Sequence, residues 1–545
     1  MSTRLNLAAI FLILSQCLCL NMVHAETQSS ETTVSQSSQQ SLDAIQQFVR
    51  GDFATRRALL NQWPASVEQL DQLAEFVEKD QLYTDSSGNT YILEAEDKLV
   101  SYPDKKAVET WPSDLSQITL VNTLNKALTF GLAKKKLNSE EASQRLEAID
   151  ILENNLSELD AQAINQMYLN EKNNTVKSRF AQLKARLDYQ SENVLTKIEA
   201  AKVLKDSNRP DVLALVENEL AQPNLHPDLK AALVDARSSI KTRIQASEWA
   251  GHVFSGLSTA SILLLAALGL AITYGLLGVI NMAHGELIMI GAYTTYVVQS
   301  FFKSHFSGLV DWYLIAAIPA AFIVSAAIGM LIERTVIRPL YGRQLETLLA
   351  TFGVSLILMQ VVRMIFGAQN VEVSNISWLS GGISITPSLM LPYNRIAIIV
   401  FTVAVLLLLV YLLNKTRFGL FVRAVTQNRQ MARAVGIRSS RIDMMAFGLG
   451  SGLAGLAGCA LAQVGNVGPD LGQNYIIDAF LVVVVGGVGQ VWGAVLAALG
   501  LGVSGTVLEI GMGAVLAKII LLVLVILFIQ KRPQGLFAIK GRFVE

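Results

Sequence analysis

The chain has 545 residues, of which 52% are hydrophobic, and its 44 Lys+Arg residues balance 44 Asp+Glu residues. This composition is too apolar for an average soluble protein, and the length allows two or more domains. The cations lie in short loops between apolar segments, which excludes a continuous nucleic-acid-binding face. Residues 26–250 carry 25 Lys+Arg against 34 Asp+Glu, whereas residues 251–545 carry 18 against 10. The sequence therefore predicts an acidic soluble part followed by a basic membrane part.

Residues 1–25 have the features of a secretory signal peptide. Arg4 precedes an apolar run that extends to Leu20, and Val23-His24-Ala25 supplies small or apolar residues at the offsets of a cleavage site. Cleavage after Ala25 would export the part that follows. Only Cys459 lies beyond this leader, so the mature chain cannot form an internal disulfide.

The polar part begins with a linker over residues 26–41, which is rich in Ser, Thr and Gln. Residues 42–248 predict a mostly helical domain with one β-hairpin, whose strands flank the turn Ser86-Ser87-Gly88-Asn89. Similar helical segments begin at Leu146, Arg179, Lys197 and Leu229, some of them about thirty residues apart. This pattern indicates a short HEAT-like α-solenoid in the periplasm.

Nine apolar segments follow, and most are long enough to cross a membrane. They are 257–280, 285–302, 312–333, 346–366, 396–414, 443–464, 475–489, 491–509 and 514–530. The pairs 257–302 and 475–509 leave half-crossings open as an alternative. We therefore expect an all-α, polytopic bundle of about eight or nine spans over residues 252–545.

The distribution of Lys and Arg sets the orientation of these segments. Fourteen cations lie in the loops 334–344 and 415–442 and in the tail after residue 530, whereas the opposite loops hold only Lys303 and Arg395. Basic loops face the cytoplasm, so the C-terminus should be cytoplasmic. Nine crossings from an exported domain end on the same side, which agrees with the basic tail.

A polar cluster interrupts the apolar sequence between Ala271 and Tyr293. Asn281, His284 and Glu286 lie within six residues of one another. Ionisable groups at membrane depth are costly and usually line a protein-enclosed path or mark a helix end. The alternative is an ordinary turn at the membrane surface whose polar residues are solvated.

Two glycine-rich segments indicate close helix packing. Five glycines fall between Gly448 and Gly458, and a second group lies within the segment Val484–Ala494. A helix break in the second group would place free backbone groups inside the bundle. Asp478, just before it, is either a pathway residue or a residue near the outer interface.

The longest basic loop, Arg417–Met444, combines seven cations in the region 415–442 with an apolar helical pattern at Val422, Val425, Ala432 and Val435. Gly436 should end this helix in a left-handed conformation. We expect the apolar face to fill a groove of a partner protein, with the arginines at the rim. The alternative is that the cations only anchor the topology.

Three motifs resemble branched-chain amino acid permeases of ABC importers. They are G-x-x-N-M-A-H-G-E-x-x-x-x-G-A-Y from Gly278 to Tyr293, VVGGVGQVWGA from Val484, and RPQGLF from Arg532. The resemblance covers roughly residues 255–540. It implies a second related permease subunit, two cytoplasmic ATPase subunits, a periplasmic solute-binding protein and a position in the bacterial inner membrane, in contact with lipid.

The resemblance also implies roles for individual residues. The expected translocation path is lined by Tyr274, Asn281, His284, Gly285, Glu286 and Asp478. The residues that match the pattern of an ATPase-coupling loop are Arg423, Ala424, Gln427, Asn428, Ala432, Gly436 and Ile437.

The sequence argues against an enzyme. It has no G-x-x-x-x-G-K-[ST] segment, so the chain cannot bind ATP with a P-loop of its own, and it indicates no cofactor or metal site. Gly502-Val503-Ser504-Gly505 matches the G-x-S-G of rhomboid-type proteases, but the last histidine, His305, precedes it instead of following it. A passive channel or ion-coupled carrier stays open as another class, against which the long docking loop argues.

The most specific prediction concerns the transported solute. Permeases of the branched-chain amino acid type are about as long as residues 250–545 alone, whereas this chain adds a leader and an exported domain. That arrangement resembles the permease subunit of urea ABC importers. We therefore expect urea, with branched-chain amino acids or amides as the alternative.

Overall fold

The computed structural model describes residues 44–537, apart from 63–68, 95–97, 105, 109–110, 113, 154–155, 157–158, 160, 192 and 279–280. The predicted signal peptide and linker lie outside the described residues. Contacts divide the chain into two compact units, and the boundary in the sequence lies between Leu187 and Asp188.

The first unit combines helices with a five-stranded antiparallel sheet of order β4-β3-β2-β1-β5. Its elements are α1 (Ala44–Arg50), α2 (Phe53–Gln62), α3 (Gln69–Glu78), β1 (Leu82–Thr84), β2 (Thr90–Glu94), β3 (Lys98–Tyr102), β4 (Lys106–Ala107), β5 (Ser116–Gln117), α4 (Asn122–Lys136), α5 (Ala142–Leu152), α6 (Ala161–Asn170) and α7 (Asn174–Asp188). The protein is therefore mostly helical, as predicted, but not strictly all-α.

The predicted hairpin is confirmed. β1 pairs with β2 in the register Leu82↔Ile92 to Thr84↔Thr90. The Asp85 carboxylate accepts hydrogen bonds from the backbone N–H groups of Ser87 and Asn89, at 3.0 and 2.8 Å, and Gly88 adopts φ +79°. The three further strands were not predicted. β4 and β5 have only two residues each and show no periodic pattern, and β3, with five residues, pairs with β2 as a third strand that the hairpin prediction did not include.

The second unit begins with α8 (Val194–Leu204) and α9 (Pro210–Leu220), which pack against the long helix α10 (Pro227–Leu277). α10 has 51 residues and extends about 76 Å at 1.5 Å per residue. Its amino-terminal half is polar and its carboxy-terminal half apolar. The predicted boundary at residues 248–252 falls inside this unbroken helix. The HEAT-like arrangement stays a prediction.

The rest of the second unit is almost wholly helical. Its elements are α11 (His284–His305), α12 (Tyr313–Ile332), α13 (Gln344–Phe366), the hairpin β6 (Gly382–Thr386) and β7 (Leu389–Pro392), α14 (Tyr393–Lys415), α15 (Arg417–Gln427), α16 (Arg429–Ala434), α17 (Ser439–Ala462), α18 (Leu471–Gly486), α19 (Val491–Met512) and α20 (Ala514–Lys531). Each of the nine predicted apolar segments falls largely within one of these helices or within the apolar part of α10.

Within the described part of the chain, seven helices are long and apolar enough to span a membrane: α10, α12, α13, α14, α17, α19 and α20. α11 is not among them, and the apolar helix α18 has only 16 residues. Because these two helices belong to the pairs for which half-crossings were considered, the number of full crossings stays a prediction.

Helix α17 lies at the centre of the bundle and packs against α10, α11 and α12. Its glycines allow backbones to touch: a Cβ on Gly458 would overlap the backbone of Ile288, and a Cβ on Gly291 would overlap that of Gly455. Nearly every residue from Ala446 to Ala462 is buried. The glycine cluster therefore serves close helix packing, as predicted.

Candidate functional site

The polar turn between α10 and α11 folds back into the bundle. Gly278, at φ +66°, ends α10 and donates its N–H to the carbonyl of Tyr274 at 2.9 Å. His284 begins α11, and its Nε2 lies 3.0 Å from the Ala266 carbonyl oxygen. Ala266 precedes the last residue of α10, Leu277, by eleven residues, or about 16 Å of helix. Helix α11 therefore begins beside the middle of the apolar part of α10.

Helix α13 covers this turn with two hydroxyl groups. Ser355 donates a hydrogen bond to Glu286 Oε1 at 2.9 Å, and Thr351 Oγ1 accepts the N–H of Met282 at 3.2 Å. Asn281 Oδ1 accepts the N–H of Ala283 at 3.1 Å, just ahead of the first turn of α11. The exposed fractions of Asn281, His284 and Glu286 are 2%, 0% and 1%. Such burial is not that of a solvated surface turn.

Each of these three side chains has a polar atom without a hydrogen-bond partner in the described part of the protein. The atoms are Asn281 Nδ2, His284 Nδ1 and Glu286 Oε2. Buried polar atoms are nearly always hydrogen-bonded, so three neighbouring exceptions mark a site with unused bonding capacity. Asn281 also lines an apolar cavity of about 220 Å³, together with Leu270, Met282, Leu348, Ile476, Ile477 and Phe480.

Helix α18 reaches the same region through glycine contacts. A Cβ on Gly285 would lie 2.5 Å from the Gly472 carbonyl oxygen, so the first turns of α11 and α18 touch. At its other end, α18 stops at Gly486, and Gly487 and Gly489 have φ +98° and +75° before α19 begins. The second glycine group therefore contains a helix break, the arrangement that the sequence left open.

The segment near the C-terminus meets this second turn. The N–H of Leu536 donates to the Val485 carbonyl at 2.8 Å, and a Cβ on Gly535 would lie 2.7 Å from the nitrogen of Gly487. Two of the three motifs found in the sequence are thus in direct contact. No sequence pattern indicated this contact, because it joins segments about fifty residues apart.

The other two predicted path residues lie apart from the buried cluster. Tyr274 is half-buried in the last turn of α10. Asp478 lines a different cleft, where its Oδ2 lies 3.5 Å from the Lys518 Nζ. The structure therefore groups Asn281, His284, Gly285 and Glu286, but not Tyr274 or Asp478.

The predicted apolar face of the long basic loop is already covered within the chain. Val422, Val425 and Ala432 are at most 9% exposed and pack against Ile442 and Ala446 of α17. The expectation that this face fills a partner's groove is therefore wrong for these three residues, because periodicity indicates a buried face without identifying what buries it.

A different surface of this loop faces outward. Arg423, Gln427, Asn428 and Gly436 are exposed, whereas Ala424 and Ile437 are half-buried. Val435, Gly436 and Ile437 line a cleft of about 560 Å³ with Phe418, Phe421, Arg438, Arg441, Ile442 and Met445. We call this surface the α15–α17 cleft.

The predicted helix end at Gly436 is confirmed. Gly436 has φ +87°, its N–H donates to the Arg433 carbonyl, and the N–H of Ile437 donates to the Ala432 carbonyl, both at 3.0 Å. These two bonds define a Schellman motif, in which the left-handed residue is usually glycine.

Arg429 is not a rim residue. Its guanidinium makes a two-bond contact with the Asp443 carboxylate, at 2.9 and 3.2 Å, and lies 5.1 Å from the ring centre of Tyr341. The Tyr341 hydroxyl donates to buried Glu333, at 2.9 Å. Burial, together with the Asp443 and Glu333 carboxylates, raises the pKa of Tyr341, which keeps it a neutral donor.

Sequence reasoning missed this network, which joins the ends of α12, α16 and α17. The available signal was the scarcity of acids: residues 251–545 contain only ten Asp and Glu, and Glu333 and Asp443 are two of them. Both carboxylates are 0% exposed and pair with arginines, Glu333 with Arg338 and Asp443 with Arg429.

Comparison with known proteins gives one consistent family. Residues 252–529 match the model of the branched-chain amino acid transport system permease component. No solved structure matches the chain significantly.

Named relatives match between a fifth and a half of the chain. The permease protein BraD of a high-affinity branched-chain amino acid transport system of Pseudomonas aeruginosa is 32% identical over 291 residues, which is 52% of this chain and 94% of BraD. The corresponding LivH of Escherichia coli is 28% identical over 292 residues, with the same coverage. The autoinducer 2 import system permease protein LsrC of Salmonella paratyphi B is 37% identical over 115 residues, 21% of this chain and 30% of LsrC.

Proposed function

The chain belongs to the family of branched-chain amino acid transport system permease components, and on this premise we propose that it forms half of the membrane path of an ABC importer. The observation that carries the proposal is the family match over the whole membrane half. A permease subunit is not itself an enzyme. Separate ATPase subunits supply the energy, a solute-binding protein delivers the solute, and a second related permease subunit completes the path.

The buried turn at the start of α11 is the part of the path that we propose moves the solute. The support is the unused hydrogen-bonding capacity of Asn281, His284 and Glu286, which offers one donor and two acceptors in the bundle interior. The adjoining apolar cavity gives room for a small molecule.

Coupling to the ATPase takes place at the α15–α17 cleft in this proposal. Its exposed apolar residues, Phe421 at 37% and Val435 at 74%, are bordered by Arg438 and Arg441. An apolar centre with a charged rim is the usual anatomy of a protein interface. Of the residues first expected to couple, Gly436 and Ile437 line this cleft, Arg423, Gln427 and Asn428 are exposed elsewhere on the same loop, and Ala432 supports the loop from inside.

We assign the orientation from the charge distribution: residues 26–250 lie in the periplasm, and the C-terminus lies in the cytoplasm of a bacterium with this protein in its inner membrane. The polar half of α10 then projects outward from the membrane as a continuation of its first span.

The solute that we propose is urea. The family match begins at residue 252, and the relatives BraD and LivH cover 52% of the chain, so the amino-terminal part has no counterpart in them. This added part is the feature that resembles urea importers. Urea is neutral and needs hydrogen-bonding groups without a net counter-charge, which the Asn281, His284 and Glu286 group offers. Branched-chain amino acids are the second candidate, favoured by the names of those relatives.

Uptake by the complete complex tests the proposal. The permease, its partner subunits and the solute-binding protein are reconstituted in proteoliposomes, and ATP-dependent uptake of labelled urea and labelled leucine is measured. We expect saturable urea uptake and no leucine uptake. The opposite result would assign the chain to amino acids, and ATP-independent uptake of either solute would favour a channel.

A further inference from the structure

A cleft with both polar and apolar lining residues lies between α10, α18, α19 and α20. It has a volume of about 370 Å³. Its polar lining residues are Thr259, Asn474, Tyr475, Asp478, Thr506, Glu509 and Lys518. Asp478, Glu509 and Lys518 all lie within apolar helices, where ionisable residues usually pair or line a water-filled space. The motifs in the sequence did not include Glu509 or Lys518.

The cleft continues toward the side predicted to face outward. Thr259, Asn474 and Tyr475 also line a neighbouring cleft of about 500 Å³, whose other polar residues include Asn466 and Asp470 in the loop between α17 and α18. The two clefts together therefore form a polar route from this loop to Asp478.

The ion pair between Asp478 and Lys518 leaves hydrogen-bonding capacity unused on both side chains. Lys518 Nζ lies 3.5 Å from Asp478 Oδ2 and 3.5 Å from the Asn474 carbonyl oxygen. Charge-assisted hydrogen bonds in proteins are shorter, about 2.7–2.9 Å. The exposed fractions of the two side chains are 58% for Lys518 and 31% for Asp478. Both groups can therefore bond a third molecule.

We infer that this cleft is an entry site for a small neutral amide, which binds beside the ion pair and contacts both the Asp478 carboxylate and the Lys518 ammonium group. The carboxylate accepts an N–H of the amide, and the ammonium donates to the carbonyl oxygen on the same side of the amide, an arrangement that fits two groups 3.5 Å apart. The inference rests on the proposed function, because it names where urea first binds.

Neutralising the pair tests this chemistry in the reconstituted complex. Asp478→Asn or Lys518→Gln alone leaves one uncompensated charge, so urea uptake falls by roughly tenfold or more. The double variant removes both charges but keeps donors and acceptors, and its uptake returns to within about threefold of wild type. The matched control neutralises an exposed ion pair elsewhere, in which Arg343 Nη1 lies 3.0 Å from Glu346 Oε2. This change should leave uptake unchanged.

Solute protection separates binding from a purely structural ion pair. Cys459 is buried, so once Cys17 and Cys19 are replaced by serine, a cysteine placed at Thr506 in the cleft is the thiol of this chain expected to react with a membrane-impermeant reagent added outside. Urea at concentrations that saturate uptake should slow modification of Thr506→Cys. It should not slow modification of Gly308→Cys, at an exposed position outside the cleft.

If the wild-type complex takes up urea, any of three results overturns the inference. They are single variants that transport like wild type, a double variant as impaired as the singles, and modification of Thr506→Cys that urea does not slow. Absence of ATP-dependent urea uptake in wild type is a different failure, since it removes the proposed solute itself.

Discussion

Replacing Arg429 with alanine should destabilise the coupling loop strongly. The change removes both hydrogen bonds to Asp443, whose side chain is 1% exposed, and leaves a buried carboxylate without its cation. Breaking one partner of a buried ion pair costs about 3–5 kcal/mol. Because the Arg429 side chain is 29% exposed, water reaches the gap, and we expect the lower end, about 3 kcal/mol.

Thermal unfolding of the purified membrane protein in detergent measures this cost, and we expect the midpoint to fall by roughly 5 °C or more. Solute-stimulated ATP hydrolysis by the complex should fall as well, because α16 loses its anchor on α17. The double variant Arg429→Ala/Asp443→Asn should regain most of the stability, since position 443 no longer carries a buried, unpaired charge. Arg417→Ala, which removes an exposed arginine from the start of α15, is the control and should change stability by less than about 0.5 kcal/mol. Equal midpoints for Arg429→Ala and Arg417→Ala would refute the reasoning.

Four other outcomes are expected. Gly291→Ala forces a methyl group into the backbone of Gly455 and should lower stability by roughly 1–3 kcal/mol, whereas Gly353→Ala, whose Cβ enters open space, should not; equal thermal midpoints would contradict this. Gly436→Ala meets no atom within 4 Å, so its cost of about 1–2 kcal/mol comes from φ +87° alone, and it should weaken solute-stimulated ATP hydrolysis. Glu286→Leu should abolish urea uptake although the protein still assembles; uptake by this variant at the wild-type rate would show that the turn serves packing alone. Protease added to spheroplasts should cleave within residues 42–248 and spare a tag after Glu545; protection of both would reverse the assigned topology.

Hydropathy located the helices well because a lipid-facing helix is selected for composition over its whole length. All nine segments were found, and turns that depend on one residue type, at Gly88 and Gly436, were found as well. These features are local, so a short window of sequence contains the physical cause.

Pairings between distant residues could not be predicted. Glu286 and Ser355 are 69 residues apart, and Arg429 and Asp443 are 14 apart on different helices. The face of Val422, Val425 and Ala432 was predicted to be buried, and it is, but against α17 instead of a partner. The periodicity of a sequence indicates that a helix face is buried. Only the folded structure shows which element or partner buries it.

The polar chemistry of the membrane half lies at helix ends more than within continuous spans. Helix α18 has 16 residues, about 24 Å, which is shorter than the roughly 30 Å hydrocarbon core. Its first turn touches that of α11 at Gly472 and Gly285. Free N–H groups in the first turn of a helix favour negative charge, and Glu286 lies in the first turn of α11. Asp478 is six residues beyond Gly472 on the same helix, about 9 Å along its axis. A solute that leaves the cleft at Asp478 therefore has only a short distance to travel along α18 to the buried turn. In our proposal, α18 connects the entry site at Asp478 with the buried turn at the start of α11.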